Sequence, residues 1–247
     1  MIKLADYESP FGTITILRAK TTGAVIYEQA GNFQSECDGD GISLVAYIHA
    51  LYALIVEAKA ESVLLIGGAG GTLGTMLARS GHAVTMVDIN PTSFPLAREY
   101  FNLPDSVHCV VSDGREFLLS DARCYDAIVL DAYHGDRIPA HLQSLAFFRL
   151  VASRVARRGV VLANVHVTSD ADIAAERMAD CMANVWPEVR LLDTKGLNGR
   201  NAIVMAGAVA RLNRPGLRMT PAADASVIAA ELAMMNFRPR TNSDATS

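Results

Sequence analysis

Between Ser62 and Asp88 the chain runs SVLLIGGAGGTLGTMLARSGHAVTMVD, and few folds accommodate such a stretch. An apolar run, Val63 to Ile66, ends in the glycine cluster Gly67, Gly68, Gly70 and Gly71. A short helical segment follows from Thr72 to Arg79, then a Ser-Gly break, a second apolar run from Ala83 to Val87, and an acid, Asp88. This order predicts one βαβ unit carrying a nucleoside site. Glycines without Cβ let the backbone approach a ligand closely. The N-terminus of the next helix offers unpaired N–H groups, and an acid closing the second strand accepts hydrogen bonds from ribose hydroxyls. Alone, the glycines would mark only a turn; the strand before them and the acid after them favour a nucleoside.

The flanking sequence extends the pattern. Residues 1–36 alternate in the β manner, Thr13 and Thr15 against Ile14 and Ile16, and predict two or three antiparallel strands. Asp38, Gly39, Asp40 and Gly41 form a loop placed to cap a helix from Ile42 to Ala60, with Leu44, Ile48, Leu51 and Ile55 on one face. From Ser62 onward strands and helices alternate. Val63–Ile66, Ala83–Val87, Val107–Val111, Ala127–Leu130 and Gly159–Val165 are apolar and β-rich, as strands buried on both faces are. Thr72–Arg79, Thr92–Phe101, Gly114–Leu119, Ala140–Ala156 and Asp170–Val185 are the expected helices. VRLLDTKGLNGRNAIVMAG then predicts a hairpin, Asn213 to Pro221 a connector, Ala223–Phe237 a last helix, and the final RPRTNSDATS a frayed polar tail.

Composition removes whole classes of function. Half of the 247 residues are hydrophobic and 19% are charged, so the chain has the means for a large core. A net charge of -4, with no basic stripe, argues against a nucleic-acid partner. No signal-type leader and no long apolar run is visible, which predicts a cytoplasmic protein without a membrane partner. Cys37, Cys109, Cys124 and Cys181 are scattered without a CxxC or Cys/His cluster, so reduced thiols and no metal site are expected.

Five parallel strands closed by a hairpin match the fold of class I S-adenosylmethionine-dependent methyltransferases; a nicotinamide-type domain more often continues with a sixth parallel strand. The expected fold is therefore α/β: a Rossmann-like, doubly wound sheet with a C-terminal antiparallel hairpin and a small N-terminal β element. The expected divisions are an N-terminal β-hairpin element over 1–41, a catalytic domain over 42–210, and a C-terminal helix with a flexible tail over 211–247. In such a sheet the ligand lies outside the carboxyl ends of the strands, where this sequence places Gly67–Gly71, Asp88, Ser112-Asp113-Gly114 and Asp131. Asp88 suits the ribose diol. Asp113 suits the adenine amino group or the N-cap of the helix at Gly114, and both roles stay open. Asp131, entering the loop AYHGDRIPAHL near Tyr133, His134 and Asp136, is placed to bind or deprotonate an amine. His134, His141 and His166 lack metal-ligand spacing. The Arg154, Arg157 and Arg158 cluster is expected at a helix end, Trp186 in the core beside the hairpin, and the AELAMMNF segment in a packing helix.

The segments ESPFGTITIL, VAYIHAL, LLIGGAGG, VTMVDIN, VVSDGREFL and IVLDAYHGDRIPAHLQSLAFF together resemble the spermidine synthase (polyamine aminopropyltransferase) family from about Glu8 to Gly207. The resemblance implies transfer of an aminopropyl group from decarboxylated S-adenosylmethionine to a small-molecule amine such as putrescine, in a homodimer, with no tightly bound cofactor. It implies ribose binding by Asp88, adenine binding at Ser112 and Asp113, donor binding at the four glycines, and a catalytic group of Asp131, Tyr47 and His134. The chain departs from the family on the amine side. Ala69 stands where the glycine motif has an Asp, His134 where the DSxDP motif has its second acid, and Ile48 where a Gln follows the Tyr. A site that loses carboxylates favours a less cationic ligand. Two other readings therefore stand beside aminopropyl transfer: a methyltransferase using ordinary S-adenosylmethionine, and a non-catalytic nucleoside-binding or scaffold homologue.

Overall fold

A computed structural model of the chain describes residues 1–238. Except for Arg238, the expected polar tail lies outside the described residues. The chain opens with a four-stranded antiparallel sheet in sequential order: β1 (Ile2–Tyr7), β2 (Ile14–Arg18), β3 (Val25–Gln29) and β4 (Asn32–Cys37). The expectation of two or three strands falls short of these four, because the tight Ala30-Gly31 turn, both residues at positive φ, returns the chain into β4.

The helix expected from Ile42 begins later, as α1 (Ala46–Glu57). Asp38 explains the delay. Its Oδ1 accepts the N–H groups of Asp40 and Ile42, and Cys37 bridges to Ser43, so these residues close a loop before the helix starts. The core of the fold follows: β5 (Ser62–Ile66), α2 (Thr72–Arg79), β6 (Ala83–Asp88), α3 (Ser93–Phe101), β7 (His108–Val111), α4 (Gly114–Ser120) and β8 (Tyr125–Leu130). Then come α5 (Leu145–Ala152), β9 (Val155–Val167), α6 (Ala174–Ala183), β10 (Val189–Asp193), β11 (Arg200–Gly207), α7 (Ala225–Met234) and β12 (Asn236–Arg238).

The large sheet has the order β12-β10-β11-β9-β8-β5-β6-β7. Its five strands from β7 to β9 pair in parallel, and β11, β10 and β12 add antiparallel. This is the doubly wound α/β sheet with a C-terminal hairpin that the sequence predicts. Its central strands bury both faces: Val63, Leu65, Val129 and Leu162 pack on one side, and Leu64, Ile66, Ile128 and Val161 on the other. Each fully buried side chain of this size contributes on the order of 1.5–3 kcal/mol.

Three expectations are corrected by local chemistry. The single helix over Ala140–Ala156 is split, because Ser144 is extended and its hydroxyl accepts the Phe147 N–H; a 3-10 turn precedes it and α5 follows. Arg157 and Arg158 belong to β9, not to a helix end, since that strand starts four residues early by pairing Val155 with Tyr125. The last helix stops at Met234, and the chain turns into β12 on the open edge of β10. There Arg190 lies 3.6 Å over the Phe237 ring, and Arg238 reaches the buried Asp193, which Arg200 also holds. Trp186 packs edge-on against Phe148 of α5, with ring centroids 6.2 Å apart.

Apolar packing and hydrogen bonds hold the N-terminal sheet against the main domain. Ile14, Ile16 and Tyr27 pack with Leu96 and Phe101 of α3, and Ser35 of β4 accepts the Gly70 N–H at 3.1 Å. The small sheet therefore borders the glycine loop.

Candidate active site

Strand tips β5, β6, β7, β8 and β9 meet at one end of the sheet and line a cleft of about 1080 Å³, which shares Gly67, Gly68, Ala69, Asp131 and Tyr133 with a smaller pocket of about 250 Å³. Gly67 must be glycine on two counts. Its φ is +85°, and a Cβ there would strike the Asp131 carbonyl, so the β5 and β8 tips approach only because the side chain is absent. Gly68 is less constrained, since a Cβ there would meet only the flexible end of the Met86 side chain, and Gly71 sits left-handed as the N-cap of α2. Gly70 is buried between Phe101 and Ser35, with its N–H already taken by Ser35. Gly67 and Gly68 line both cavities, and Gly71 lines the smaller one.

Asp88 ends β6 at the cleft wall. Its Oδ1 accepts the Asn90 N–H at 2.8 Å and its Oδ2 the Ala69 N–H at 3.3 Å, so the acid also holds the glycine loop. Burial pushes its carboxyl above the usual carboxylate range, against the pull of these N–H donors. Ser112 lines the same wall, with its hydroxyl on the Asp113 carbonyl. Asp113 caps α4 through Oδ1, at 2.8 Å from the Arg115 N–H and 3.2 Å from that of Glu116. Its Oδ2 meets His141 Nε2 at 2.8 Å. Burial raises the Asp113 carboxyl, but the bonds from His141, Glu116 and Arg115 outweigh it and hold the group below its ordinary value.

Asp131 closes β8 at the junction of the two cavities. Tyr47 of α1 donates its hydroxyl to Oδ2 at 3.2 Å, and Asn164 of β9 donates Nδ2 to Oδ1 at 2.8 Å. Burial raises the Asp131 carboxyl, opposed by these two donors; burial and the neighbouring carboxylate raise the Tyr47 phenol well above its ordinary value. Asn164 Oδ1 is buried without a hydrogen-bond partner. The structure thus brings Tyr47 and Asp131 together. It places His134 apart from that pair, exposed on the rim, edge-on to Phe11 with ring centroids 6.1 Å apart.

Asn164 and Ser35 are not singled out in the sequence. Asn164 has a signal, a lone amide inside the apolar run VVLANVHV; Ser35 has none, because its placement depends on tertiary packing.

No protein-family model matches the chain. Over 149 residues, 59% of this chain, it is 31% identical to a probable polyamine aminopropyl transferase of Bifidobacterium longum, of which the match spans 33%. The chain spans about a third of that relative's length. A probable spermidine synthase of Corynebacterium glutamicum superposes with a TM-score of 0.77 at 21% identity, covering 96% of this chain and 90% of the other. The chain has the fold of that spermidine synthase. The wider fold extends to human methyltransferase-like protein 13 in complex with SAH, at TM-score 0.54 and 19% identity, over 81% of this chain and 95% of that one.

Two of the positions at which the sequence departs from the family it resembles are placed by the structure. Ala69 sits at φ +42° with its N–H on Asp88. His134 and Asp136 both stand on the exposed loop after β8, and Asp136 lies 3.7 Å from Arg137. Among the described residues no cluster of His, Cys, Asp and Glu has a metal-holding arrangement, and no helix is long and apolar enough to cross a membrane.

Proposed function

We propose that the chain is an alkyl transferase that moves an aminopropyl group from decarboxylated S-adenosylmethionine to an amine, acting in the cytoplasm as a homodimer. The observation that carries this reading is the half-buried Asp131, bracketed by Tyr47 and Asn164 and lining two cavities that both border the glycine loop. In this reading Asp88 takes the ribose diol, and Ser112 and Asp113 border the adenine. Asp113 keeps its capping bonds, and the adenine amino group competes with His141 for Oδ2.

The chemistry is a displacement at carbon. The amine nitrogen must first lose its ammonium proton, and Asp131 is the acceptor within reach of the junction. Its raised pKa brings its proton affinity closer to that task than an ordinary carboxylate's. The nitrogen pair then forms an N–C bond to the methylene next to the sulfonium, the C–S bond breaks, and its pair neutralises sulfur in departing methylthioadenosine. Tyr47, held by Asp131, orients the carboxylate and walls the reacting centre. His134 stands on the rim as a binding residue.

A second reading, methyl transfer from S-adenosylmethionine, is favoured by Ala69, which leaves the glycine loop without the acid that would repel that donor's carboxylate. Incubation with putrescine and each sulfonium donor separates the two: methylthioadenosine release supports aminopropyl transfer, and S-adenosylhomocysteine release supports methylation. If neither donor binds by calorimetry, the non-catalytic reading stands.

Ala69→Asp tests the donor choice directly. Position 69 is left-handed, where Asp is better tolerated than Ala, so the variant is expected to fold. A new carboxylate there is expected to shift the kcat/KM ratio about tenfold toward the decarboxylated donor, since one near-surface pair is worth a few kcal/mol at most before desolvation. An unchanged ratio removes position 69 from donor recognition.

A further inference from the structure

Asn164 stands in β9 opposite Ile203 of β11, inside a stretch that is otherwise apolar from Val160 to Val165. A polar side chain is costly there unless it is bonded. Its backbone is clamped as well as paired, because the Tyr133 hydroxyl donates to the Asn164 carbonyl at 3.0 Å and accepts the His166 N–H at 2.8 Å. With 2% of its surface exposed, the residue is closed to water, yet only half of its side-chain amide is used. Nδ2 donates to Asp131 Oδ1 at 2.8 Å, and among the described residues nothing bonds the Asn164 Oδ1.

An ionised carboxylate only accepts, so it demands the Nδ2 end of the amide and leaves the carbonyl without a partner. A protonated one carries an O–H, which demands the other end. The two ends are close in size, so a half-turn about Cβ–Cγ exchanges them without new space. The unmet carbonyl favours that half-turn as soon as Asp131 takes a proton. We propose that Asn164 is a positioning residue whose amide reverses with the charge of Asp131, donating from Nδ2 to the carboxylate and accepting at Oδ1 from the carboxylic O–H. Its catalytic use rests on the aminopropyl-transfer reading. There an N–H bond of the acceptor's ammonium breaks, an O–H bond forms on Asp131, and the reversed amide holds that proton off the nitrogen while the N–C bond forms and the C–S bond breaks.

The test follows Asp131 in the full chain by carboxyl-carbon NMR, its signal identified by its loss in Asp131→Asn. The titratable groups set against it are the phenols of Tyr47 and Tyr133, with His166 and Asp136 lining both of its cavities and Asp88 the larger. Reading the Asp131 carbon itself keeps their titrations apart. Asn164→Leu keeps the size of the side chain and can neither donate nor accept. A bond to an ionised carboxylate is about twice as strong as a neutral one, so this variant loses more from the ionised state, and its Asp131 is expected to bind the proton about tenfold more tightly. Neutron diffraction from wild-type crystals held well above and well below the measured midpoint then reads the amide directly. The expected result is Nδ2 deuterons on Asp131 Oδ1 in the first crystal, and a carboxylic deuteron on Asn164 Oδ1 in the second. An amide facing the same way in both crystals, or an unmoved midpoint in Asn164→Leu, overturns the proposal; should the variant fail to fold, the crystals decide. Turnover is read separately. If the amide reverses but no methylthioadenosine is released from the decarboxylated donor with putrescine, the aminopropyl-transfer reading fails while the reversal holds.

Discussion

Asp131→Asn is expected to lower turnover by about 10²–10⁴-fold, the range of a lost general base, while leaving methylthioadenosine affinity within about twofold. The substitution is also expected to raise the melting temperature at neutral pH. Burial raises the Asp131 carboxyl above its unfolded value, so the wild type gains stability only where that group is protonated. This contribution is complete below the unfolded pKa of about 4 and is lost as pH rises through the folded value. Asparagine carries no charge to bury, so its advantage over the wild type grows from acid to neutral pH. Hydrogen bonding permits the exchange. Tyr47 continues to donate to the remaining oxygen, and the Asn164 amide, whose Oδ1 has no partner, can turn to accept from the new NH₂. Melting at pH 4 and 7.5, with methylthioadenosine release as the activity, checks both halves. Full activity in the variant removes Asp131 from the mechanism.

The same pKa direction sets the pH–rate profile. If Asp131 must be ionised to take the proton, kcat rises with pH through a midpoint above the ordinary carboxylate range, and the rise is absent in Asp131→Asn.

How much of this was legible beforehand depended on whether a residue's role is local. The parallel strands declared themselves because burial on both faces demands unbroken apolar runs, and α2 matched its expected limits residue for residue. Asp113 as a cap was legible from its place before a helix. Three-residue β12 was not, because what fixes it is the open edge of β10 and the Arg190–Phe237 and Arg238–Asp193 contacts. The break at Ser144 was hidden for a related reason: the apolar spacing continues through it while one hydroxyl restarts the helix. In the site, the strand-tip acids follow from topology alone. The Ser35 bond to Gly70 and the Tyr47–Asp131–Asn164 group need elements far apart in sequence to be placed against one another, which periodicity does not encode.

Asp88→Ala is expected to weaken methylthioadenosine by about 10²-fold, the loss of two charge-assisted hydrogen bonds to a ribose diol after water replaces part of them. The acid has a second task, however, because its two oxygens also hold the Asn90 and Ala69 N–H groups. Affinity could therefore fall through a slackened glycine loop instead of through lost ribose contacts. Asp88→Asn separates the causes. Its remaining oxygen can keep one loop bond while the charge is lost, so a ribose role predicts an intermediate loss of about tenfold. Stability separates them again. Burial raises the Asp88 carboxyl, so removing the charge relieves a cost at neutral pH and offsets the loop bonds lost. A large drop in affinity with a small shift in melting temperature is the signature of direct contact. A drop in both, restored by asparagine, would reassign Asp88 to holding the loop, and undiminished binding in both variants would remove the nucleoside from this strand tip altogether.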